Sequence, residues 1–532
     1  MVSNFTSSLV STVKSYLRNH QLLVLVFLIA SIVKLYFISN DFIYFWYDQA
    51  RDAAIARSIL EQGDIKLQGP SASGTNDQIY HGVLYFYFIA PLYTFSGGSP
   101  RFVSTVIAVL TSFFVFPVFH FVKNISDHRE VGLITAFLTT VCIDTITTGV
   151  WLSNPMLLLV IAPSFYWLLW RVLIDGKTNL IWLLALTLGL ANQAAISSVY
   201  LFIPLGAVYL FQAAAQKKIF LWNWQQYLTF IAVYAAAIST MILSQLKLYL
   251  QGIFSFETLS ESAHVAPSSV LLTVDEIFTV YLHKIELSLL PNLPYVSLVI
   301  FLAGLVVYLF KVNNKQRYFY LTSFLAVAAF LMLHFRDSHH GLIGLTPIIL
   351  IPVAYSLYQL ISSRRPLFRG LAGLILILYS LYHANVIRVN RKHSYFEYTI
   401  QNEFMLRDQL ALIDKTYQLA SGSPFSITTL TIPYSWNTTW GYLYDWYGHK
   451  NYGYKPHFFG FSQAGVFGEE YLEETNRPRE LHFTIYEPNV GVAEPIMDQF
   501  LSQQRNAGPV VHSYYFSGLK LEQRRPLNIS LN

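Results

Sequence analysis

Apolar stretches of about 20 residues recur along this chain of 532 residues, with short polar segments between them. A helix needs roughly 20 apolar residues to cross the hydrocarbon core of a bilayer, so each stretch predicts a spanning helix. Charged residues make up only 12% of the sequence, whereas soluble domains carry about 25%. The pattern therefore predicts a polytopic α-helical membrane protein.

The apolar runs predict about eleven transmembrane helices. The first run follows Lys14 and Arg18 and is not followed by a cleavage site of small residues, so we expect a retained helix rather than a signal peptide. The run from Gly82 to Phe95 is short and contains Pro91, which favours a re-entrant or interfacial helix over a full span. The predicted spans are 21–39, 102–122, 131–149, 155–173, 179–195, 197–214, 226–245, 291–310, 317–335, 342–360 and 370–388.

Charge asymmetry between the loops predicts the orientation. With these spans, one set of loops carries 14 basic residues and 3 acids, and the opposite set before the last span carries 7 basic residues and 12 acids. Basic loops stay in the cytoplasm, so the N-terminus is predicted to be cytoplasmic. The loop 40–101, the loop 245–291 and the chain after residue 389 are then expected to face outward.

The chain after residue 389 differs from the rest in its pattern. It mixes one helical segment, Phe404 to Leu419, with β-like runs at Phe425–Ile432, Leu481–Tyr486 and Val510–Phe516. We therefore predict a transmembrane domain over 1–389 and an extracytoplasmic α/β domain over 390–532. The net charge of +5 is too small and too scattered to indicate a nucleic-acid partner, and the single cysteine, Cys142, excludes an intramolecular disulfide.

Acidic residues concentrate in the loop 40–101, where residues 48–60 predict a short helix. Asp48 is a candidate N-cap and Gly63 a candidate terminator. Arg51 and Asp52 follow Asp48 at helical spacing, so the three side chains should share one face. Either Asp48 caps the helix beside two solvated charges, or the three residues form a site.

Several segments resemble the GT-C glycosyltransferases related to protein O-mannosyltransferases and to the bacterial aminoarabinose transferases of lipid A. The resemblance covers most of residues 40–350 but not the C-terminal part. It implies a GT-C fold, a bacterial plasma membrane, and transfer of a sugar from a polyprenyl-phosphate donor with inversion. The segments that carry it are Asp48–Asp52, Leu67–Pro70, Tyr80–Pro91, Trp151–Pro155 and, more weakly, Leu188–Gln193 and His339–Pro347.

The resemblance also assigns roles to residues. The first loop aspartate of that family is catalytic, which implies that Asp48 is the general base that takes a proton from the acceptor hydroxyl. The leaving group is a lipid phosphate, and His81 stands at the family's basic position. Asn154 lies in the second loop motif, where capping of the next span is the structural alternative. Further substrate-binding candidates on the same predicted face are Arg51, Asp52, Arg336, His339 and His340.

The sequence departs from the family pattern at two positions that concern metals. Gln49 stands where many relatives have Glu, and Tyr80 stands where the aminoarabinose branch has an acidic metal ligand. No converging set of ligands can be assembled from the sequence. The sequence therefore neither requires nor excludes a divalent metal cofactor.

The expected partners are membrane lipids, a polyprenyl-phosphate sugar and an acceptor that is a lipid, a glycan or a protein. A transporter or flippase of lipid-linked glycans is the alternative, since it would use the same spans. Transporters favour paired, broken helices and internal symmetry, and the sequence indicates neither. A scaffold that binds partners is a third alternative for the C-terminal domain alone. The aromatic segment Trp440–Gly448 is predicted to be a core strand or a lipid-facing belt, with sugar stacking as the alternative.

Overall fold

The computed structural model describes residues 19–72, 79–252, 273–332, 342–391, 404–488 and 492–526. The chain up to residue 391 is helical. Its helices are α1 (Gln21–Ile38), α2 (Tyr47–Glu61), α3 (Leu84–Phe95), α4 (Pro100–Thr111), α5 (Val115–Ser126), α6 (Arg129–Val141), α7 (Ile143–Val150), α8 (Leu158–Leu169), α9 (Ile181–Ala194), α10 (Phe202–Gln216), α11 (Trp224–Ala237), α12 (Ser239–Leu250), α13 (Val274–Leu289), α14 (Pro294–Lys311), α15 (Asn314–Leu331), α16 (Leu345–Ile361) and α17 (Pro366–Asn390).

The predicted polytopic helical membrane protein is confirmed. In the described ranges, 6 helical segments are long and apolar enough to cross a membrane, or up to 8 if each of two bent pairs is one span. Helices α14 and α17 expose rows of Val, Leu and Ile side chains, as lipid-facing helices do. The count of about eleven is not confirmed, because three predicted spans fall on α9, α15 and α16, which do not meet these criteria.

Two predicted spans are broken helices, contrary to the expectation that this chain has none. Helices α6 and α7 meet at Cys142 with a bend of 65°, and α11 and α12 meet at Ile238 with a bend of 61°. Cys142 adopts an extended backbone conformation between its two helices. Hydropathy could not reveal these breaks, since apolar residues continue through both of them.

Helix α3 is shorter than a spanning helix, in line with the re-entrant interpretation. Its 12 residues would extend over roughly 18 Å, against about 30 Å of hydrocarbon. After it the chain reverses through Gly97 and Gly98, both at positive φ. The hydroxyl of Ser99 then accepts a hydrogen bond from the Phe102 amide and starts α4.

The loop predicted over 245–291 contains regular structure. Helix α13 occupies its C-terminal part, and residues 253–272 lie outside the described chain. Thr273 caps this helix by accepting from the Glu276 amide, while the Glu276 carboxylate accepts from the Thr273 amide. The sequence analysis did not predict this helix, although the Thr273–Glu276 pattern of a capping box could have indicated it.

The C-terminal α/β domain is confirmed, although its predicted boundary at 389/390 stays a prediction because residues 392–403 are outside the described ranges. A mixed sheet of 6 strands has the order β3-β2-β1-β4-β6-β5. Strands β1 to β4 pair in parallel, and β6 runs antiparallel to both of its neighbours. The elements are α18 (Leu406–Ala420), β1 (Ser426–Leu430), α19 (Thr438–Leu443), α20 (Lys450–Tyr452), β2 (His457–Phe458), β3 (Glu473–Glu474), β4 (His482–Tyr486), α21 (Glu494–Asn506), β5 (Val510–Phe516) and β6 (Leu519–Arg524).

The C-terminal domain is docked on the loop 40–101 by a shared apolar core. One buried cluster runs from Ile43 and Tyr85 through Trp440 to Phe483. Hydrogen bonds reinforce it: the amide of Leu406 donates to the Ile43 carbonyl over 2.8 Å. Burial on this scale holds the two parts in one arrangement.

The aromatic segment Trp440–Gly448 belongs to this contact. It forms α19 and a following wide helical turn, so the strand prediction was wrong, and Trp440 and Tyr442 are fully buried. The Tyr442 hydroxyl donates to the Gly98 carbonyl at 2.6 Å. The rings of Trp440 and Tyr442 therefore have no free face for a sugar.

Candidate active site in the loop 40–101

The first turn of α2 is capped by Gln49 and not by Asp48. The N-cap residue is Trp46, whose amide donates to the Gln49 side-chain oxygen at 3.1 Å. Asp48 is the second residue of the helix, where a carboxylate is also favoured by the helix dipole. Gly63 follows the last turn at a φ of 71°, which confirms it as the terminator. The N-cap role considered for Asp48 was wrong.

Arg51 bridges the two carboxylates that the sequence puts on one helix face. Its Nη1 donates to Asp48 Oδ1 at 2.8 Å, and its Nε and Nη2 donate to Asp52 Oδ1 at 2.9 and 2.7 Å. The side chains of Asp52 and Arg51 are 2% and 16% exposed, whereas that of Asp48 is 49% exposed. The Asp48 carboxylate is therefore accessible, and the largely buried ion pair of Arg51 and Asp52 holds it in place.

Burial also changes the pKa values within this cluster. Desolvation raises the pKa of Asp52 to about 6 against the pull of Arg51, and the charge of Asp48 raises it further. Burial acts to lower the pKa of Arg51, but the charges of Asp52 and Asp48 outweigh it and raise that pKa. With both acids ionised, the cluster carries one net negative charge.

Aromatic side chains surround the start of α2. The Arg51 guanidinium lies over the Tyr47 ring at 5.6 Å, and the Trp436 ring of the C-terminal domain contacts Tyr47 with centroids 5.1 Å apart. Burial raises the pKa of Tyr44, and the charges of Asp48 and Glu487 raise it further, so both carboxyl groups lie near this hydroxyl. The site is therefore lined by both domains.

Glu487 is a buried acid from the C-terminal domain. Its carboxyl oxygens accept from Trp440 Nε1 at 2.9 Å and from the Ile432 amide at 3.0 Å. Burial raises the pKa of Glu487 to about 8, although these donors act to lower it. Nothing in the local sequence distinguishes Glu487 from the exposed acids around it, since its described partners Ile432 and Trp440 lie about 50 residues earlier in the chain.

His81 is buried and its ring is oriented by a backbone group. Its Nδ1 lies 3.0 Å from the Ile196 amide and accepts that hydrogen bond. An imidazolium has no acceptor nitrogen, so this bond requires the neutral ring with its proton on Nε2. In this arrangement His81 can donate a hydrogen bond through Nε2, and its role in binding the lipid phosphate stays a prediction.

Asn154 connects the second loop motif to α9. Its side-chain amide donates to the Ala194 carbonyl at 2.6 Å, and it makes no cap bond to its own helix. Gln49 Nε2 donates to the Leu152 carbonyl at 3.3 Å. Together with the bond between His81 and Ile196, these contacts form a hydrogen-bond network that connects the start of α2, the motif Trp151–Pro155 and the end of α9.

Two glycines are required where chain segments approach each other closely beside this hydrogen-bond network. A Cβ at Gly69 would lie 2.3 Å from the Gly82 carbonyl oxygen, and one at Gly82 would lie 1.7 Å from Gln193 Oε1. No side chain fits in either place. These contacts explain the glycines in the two motifs Leu67–Pro70 and Tyr80–Pro91.

Arg336, His339 and His340, which the sequence analysis proposed as substrate-binding residues, lie outside the described residues. Within the described ranges, no group of three or more His, Cys, Asp or Glu side chains could hold a metal ion. The acidic metal ligand of the aminoarabinose branch is replaced here by Tyr80, a poor ligand for a divalent cation. The described residues do not fit a metal site, and no catalytic step is assigned to one.

Asp144 on α7 belongs to a separate, closed cluster. It accepts from Lys284 Nζ at 2.6 Å and from the Thr346 hydroxyl at 2.5 Å. The neighbouring Thr147 donates to the backbone carbonyls of Ile143 and Asp144 rather than to the Asp144 carboxylate. The partner from α13 is about 140 residues away in the chain, a separation that no local pattern signals.

Comparisons with known proteins find structural relatives only. No protein-family model matches the sequence, and no curated protein matches it. A crystal structure of ArnT from Cupriavidus metallidurans, bound to undecaprenyl phosphate, aligns with a TM-score of 0.53 and 10% identity over 94% of this chain and 97% of that chain.

The archaeal oligosaccharyltransferase AglB from Archaeoglobus fulgidus, in complex with an inhibitory peptide and a dolichol-phosphate, aligns with a TM-score of 0.47 and 11% identity over 97% of this chain and 76% of that chain. The likeness to ArnT concerns the fold, which is the GT-C type that the loop motifs indicated.

Proposed function

We propose that this protein transfers a sugar from a polyprenyl-phosphate lipid to an acceptor hydroxyl, with Asp48 as the general base. The observation that carries the proposal is the half-exposed Asp48, which a buried Arg51–Asp52 pair holds at the start of α2. A rigid carboxylate with one open side suits proton abstraction. The undecaprenyl phosphate in ArnT, a protein with this fold, supports the lipid donor.

The proposed reaction is a displacement at the anomeric carbon of the sugar. Asp48 takes the proton of the acceptor hydroxyl, whose oxygen forms a bond to the anomeric carbon of the sugar. The bond from that carbon to the phosphate oxygen breaks, and its electron pair leaves with the polyprenyl phosphate. Attack from the face opposite the leaving group inverts the configuration, as the family resemblance implies.

Charge balance assigns different roles to the basic residues. Arg51 is already paired with two carboxylates, so its role is to position Asp48 rather than to bind phosphate. His81 is proposed to donate from Nε2 to a phosphate oxygen, because its Nδ1 is occupied. The cation that balances the phosphate must then come from elsewhere, and Arg336, His339 and His340 remain the proposed sources.

Broken helices also occur in transporters, but those in this chain offer no open polar site. The break between α6 and α7 is followed by Asp144, whose carboxylate oxygens are bonded to Lys284 and Thr346. Residues flanking the break at Ile238 are uncharged. In transporters, half-helix ends at such breaks bind the substrate. Transfer chemistry at Asp48 is therefore favoured over transport.

The proposed orientation puts the N-terminus in the cytoplasm and the loop 40–101 with the C-terminal domain outside. A reporter that works only outside the cytoplasm should be active after Asn532 and inactive after Lys218 or Arg365. Activity after Lys218 would contradict the orientation.

The decisive experiment supplies membranes that contain this protein with a panel of labelled polyprenyl-phosphate sugars. We expect label to leave at least one donor and appear in a covalent product, with release of polyprenyl phosphate. Movement of intact labelled lipid across the bilayer, without cleavage of the sugar–phosphate bond, would support a flippase instead.

A further inference from the structure

An aromatic ledge lies beside the start of α2 and consists of Tyr434, Trp436 and Phe461. Trp436 and Phe461 are 43% and 42% exposed, although both are large apolar side chains. The rings of Tyr434 and Phe461 lie 6.0 Å apart. Unlike the buried Trp440, the ledge has ring surface open to solvent.

The two loops that carry the ledge are fixed by Gln463, which is 1% exposed. Its side-chain oxygen accepts from the Asn437 amide at 2.9 Å, and its Nε2 donates to the carbonyls of Ser435 and Phe461, both at 2.8 Å. Both N–H donors and the oxygen of one buried side-chain amide hold these loops together. The ledge is thus a preformed surface.

The ledge is continuous with the proposed catalytic carboxylate. The Trp436 ring contacts Tyr47, the residue directly before Asp48. The Arg51 guanidinium that covers Tyr47 also donates to Asp48 at 2.8 Å. Trp436 and the proposed base are therefore linked through a common neighbour, Tyr47.

The charge around the ledge restricts its ligand. Residues 456–476 contain four acids and no Lys or Arg, and residues 431–449 contain none of these bases either. The acids are exposed, and the carboxylate of Glu474 accepts a hydrogen bond from the backbone amide of Gln463 at 2.6 Å. Lys455, Arg477 and Arg479 border these segments, and Lys455 is paired with Asp445. The exposed acids within the segments disfavour a phosphorylated or carboxylated ligand, and the segments themselves lack the basic residues that usually accompany lipid-surface binding.

Sugar rings have an apolar face of C–H groups that packs on aromatic rings while their hydroxyls stay solvated. We infer that the ledge is the acceptor site of the proposed transferase, and that its acceptor is a neutral carbohydrate. A sugar ring rests on Trp436 and turns one hydroxyl toward Asp48. This inference rests on the proposed function and narrows its acceptor from lipid, glycan or protein to glycan.

The test uses the full chain in detergent with the variants Trp436→Ala and Trp436→Phe. The acceptors are neutral glucan, mannan and galactan hexasaccharides, a phosphorylated counterpart of each, and a peptide rich in Ser and Thr. For the neutral acceptor that works, Trp436→Ala should raise KM about tenfold with little change in kcat, and Trp436→Phe should restore most of the affinity. Phe467→Ala, at an aromatic residue 47% exposed in the same domain, is the matched control and should leave KM unchanged.

Two readouts separate this inference from the proposed function. Release of polyprenyl phosphate by the wild type without added acceptor reports donor cleavage, so its absence identifies a failure of the proposed function rather than of the ledge. Calorimetric binding of the hexasaccharides, without any donor, tests the ledge even if no donor is ever cleaved, in which case the proposed function alone fails.

The inference is overturned if Trp436→Ala binds and uses neutral hexasaccharides as well as wild type does. It is also overturned if only the peptide or the phosphorylated acceptors depend on Trp436, or if Trp436→Ala changes only the lipid dependence of activity in nanodiscs.

Discussion

Asp48 and Asp144 each pair with a basic side chain, yet their surroundings are opposite. The Asp144 side chain is 6% exposed, and its carboxylate oxygens are bonded to Lys284 and Thr346. That of Asp48 is 49% exposed and is held by Arg51 alone among the contacts described. Both are acids in a chain with few charges. The comparison indicates how a structural acid differs from one suited to catalysis. The oxygens of a structural acid accept hydrogen bonds from other parts of the fold, whereas a carboxylate suited to catalysis is held by a neighbour and is still exposed to a substrate.

The largest expected effect is that of Asp48→Asn, which should reduce transfer about 10² to 10⁴-fold because an amide cannot accept the proton. The melting temperature should not change, since Gln49 caps α2 and an amide can still accept from Arg51. Sugar transfer and melting are measured on the same purified protein. Normal transfer by this variant would leave Asp48 as a structural residue.

Asp144→Asn should give the reverse result. It removes the carboxylate that pairs with the fully buried Lys284, and breaking a buried ion pair typically costs about 3 to 5 kcal/mol. We expect a low yield of folded protein and a lower melting temperature, with a normal kcat in the fraction that folds. The double variant Asp144→Leu with Lys284→Met should recover the yield. A stable Asp144→Asn protein that cannot transfer sugar would break the contrast between the two acids.

His81→Ala should slow transfer about 10² to 10³-fold, the usual result of removing one donor to developing charge. His81→Gln keeps a side-chain N–H and is the matched control, so it should retain more activity. Donor KM and kcat are measured for both, with melting as a check on the lost bond from Ile196. Equal rates in wild type and in well-folded His81→Ala would remove His81 from the site.

Asp52→Asn should have a smaller effect that depends on pH. The pKa of Asp52 is raised by burial to about 6, so this acid gains its proton as the pH falls through 6 and loosens its hold on Arg51. We expect kcat/KM of the wild type to fall below pH 6, and that of Asp52→Asn to be about tenfold lower at pH 7.5. The two profiles should converge at pH 5, because the amide resembles the protonated acid. Identical profiles at pH 7.5 would contradict the positioning role.

The smallest effect on sugar transfer is expected for Glu487→Gln, which should act on the pH dependence of stability. The folded-state pKa of Glu487 is raised from 4.5 to about 8, so the folded state binds its proton more tightly than the unfolded state does. The stabilisation is then complete below pH 4.5 and is lost as the pH rises to 8, by at most about 1.4 kcal/mol per pH unit. Melting curves between pH 5 and 9 should show this decline in the wild type and a flatter one in Glu487→Gln. Parallel curves would mean that Glu487 does not titrate in this interval.

Local patterns in the sequence predicted much of this molecule. Hydropathy located the membrane segments, alternation located β1, β4 and β5, and helical spacing put Asp48, Arg51 and Asp52 on one face. These features depend on residues close together in the chain. The bends at Cys142 and Ile238, the ion pair between Asp144 and Lys284, and the burial of Glu487 depend on contacts between distant segments. A single sequence carries no direct signal for such contacts.

The candidate site shows the same division. The motif Asp48–Asp52 identified the acids, but the protonation of the His81 ring is decided by the amide of Ile196, which is 115 residues away. Likewise, the aromatic richness of Trp440–Gly448 was visible, whereas the exposed rings are its neighbours Trp436 and Phe461. The composition of the sequence indicated the aromatic region, but the packing of the domain determines which of its rings are exposed.

The docking of the C-terminal domain on the loop 40–101 also has a consequence in time. Leu406, which bonds to Ile43, is made about 300 residues after the loop has left the ribosome, or roughly 15 to 60 seconds later at 5 to 20 residues per second. Until then the loop has neither Trp436 nor Glu487 beside it. A nascent chain can therefore insert its first helices while Asp48 still lacks these neighbours, and it completes the surroundings of Asp48 only after the C-terminal domain has been made.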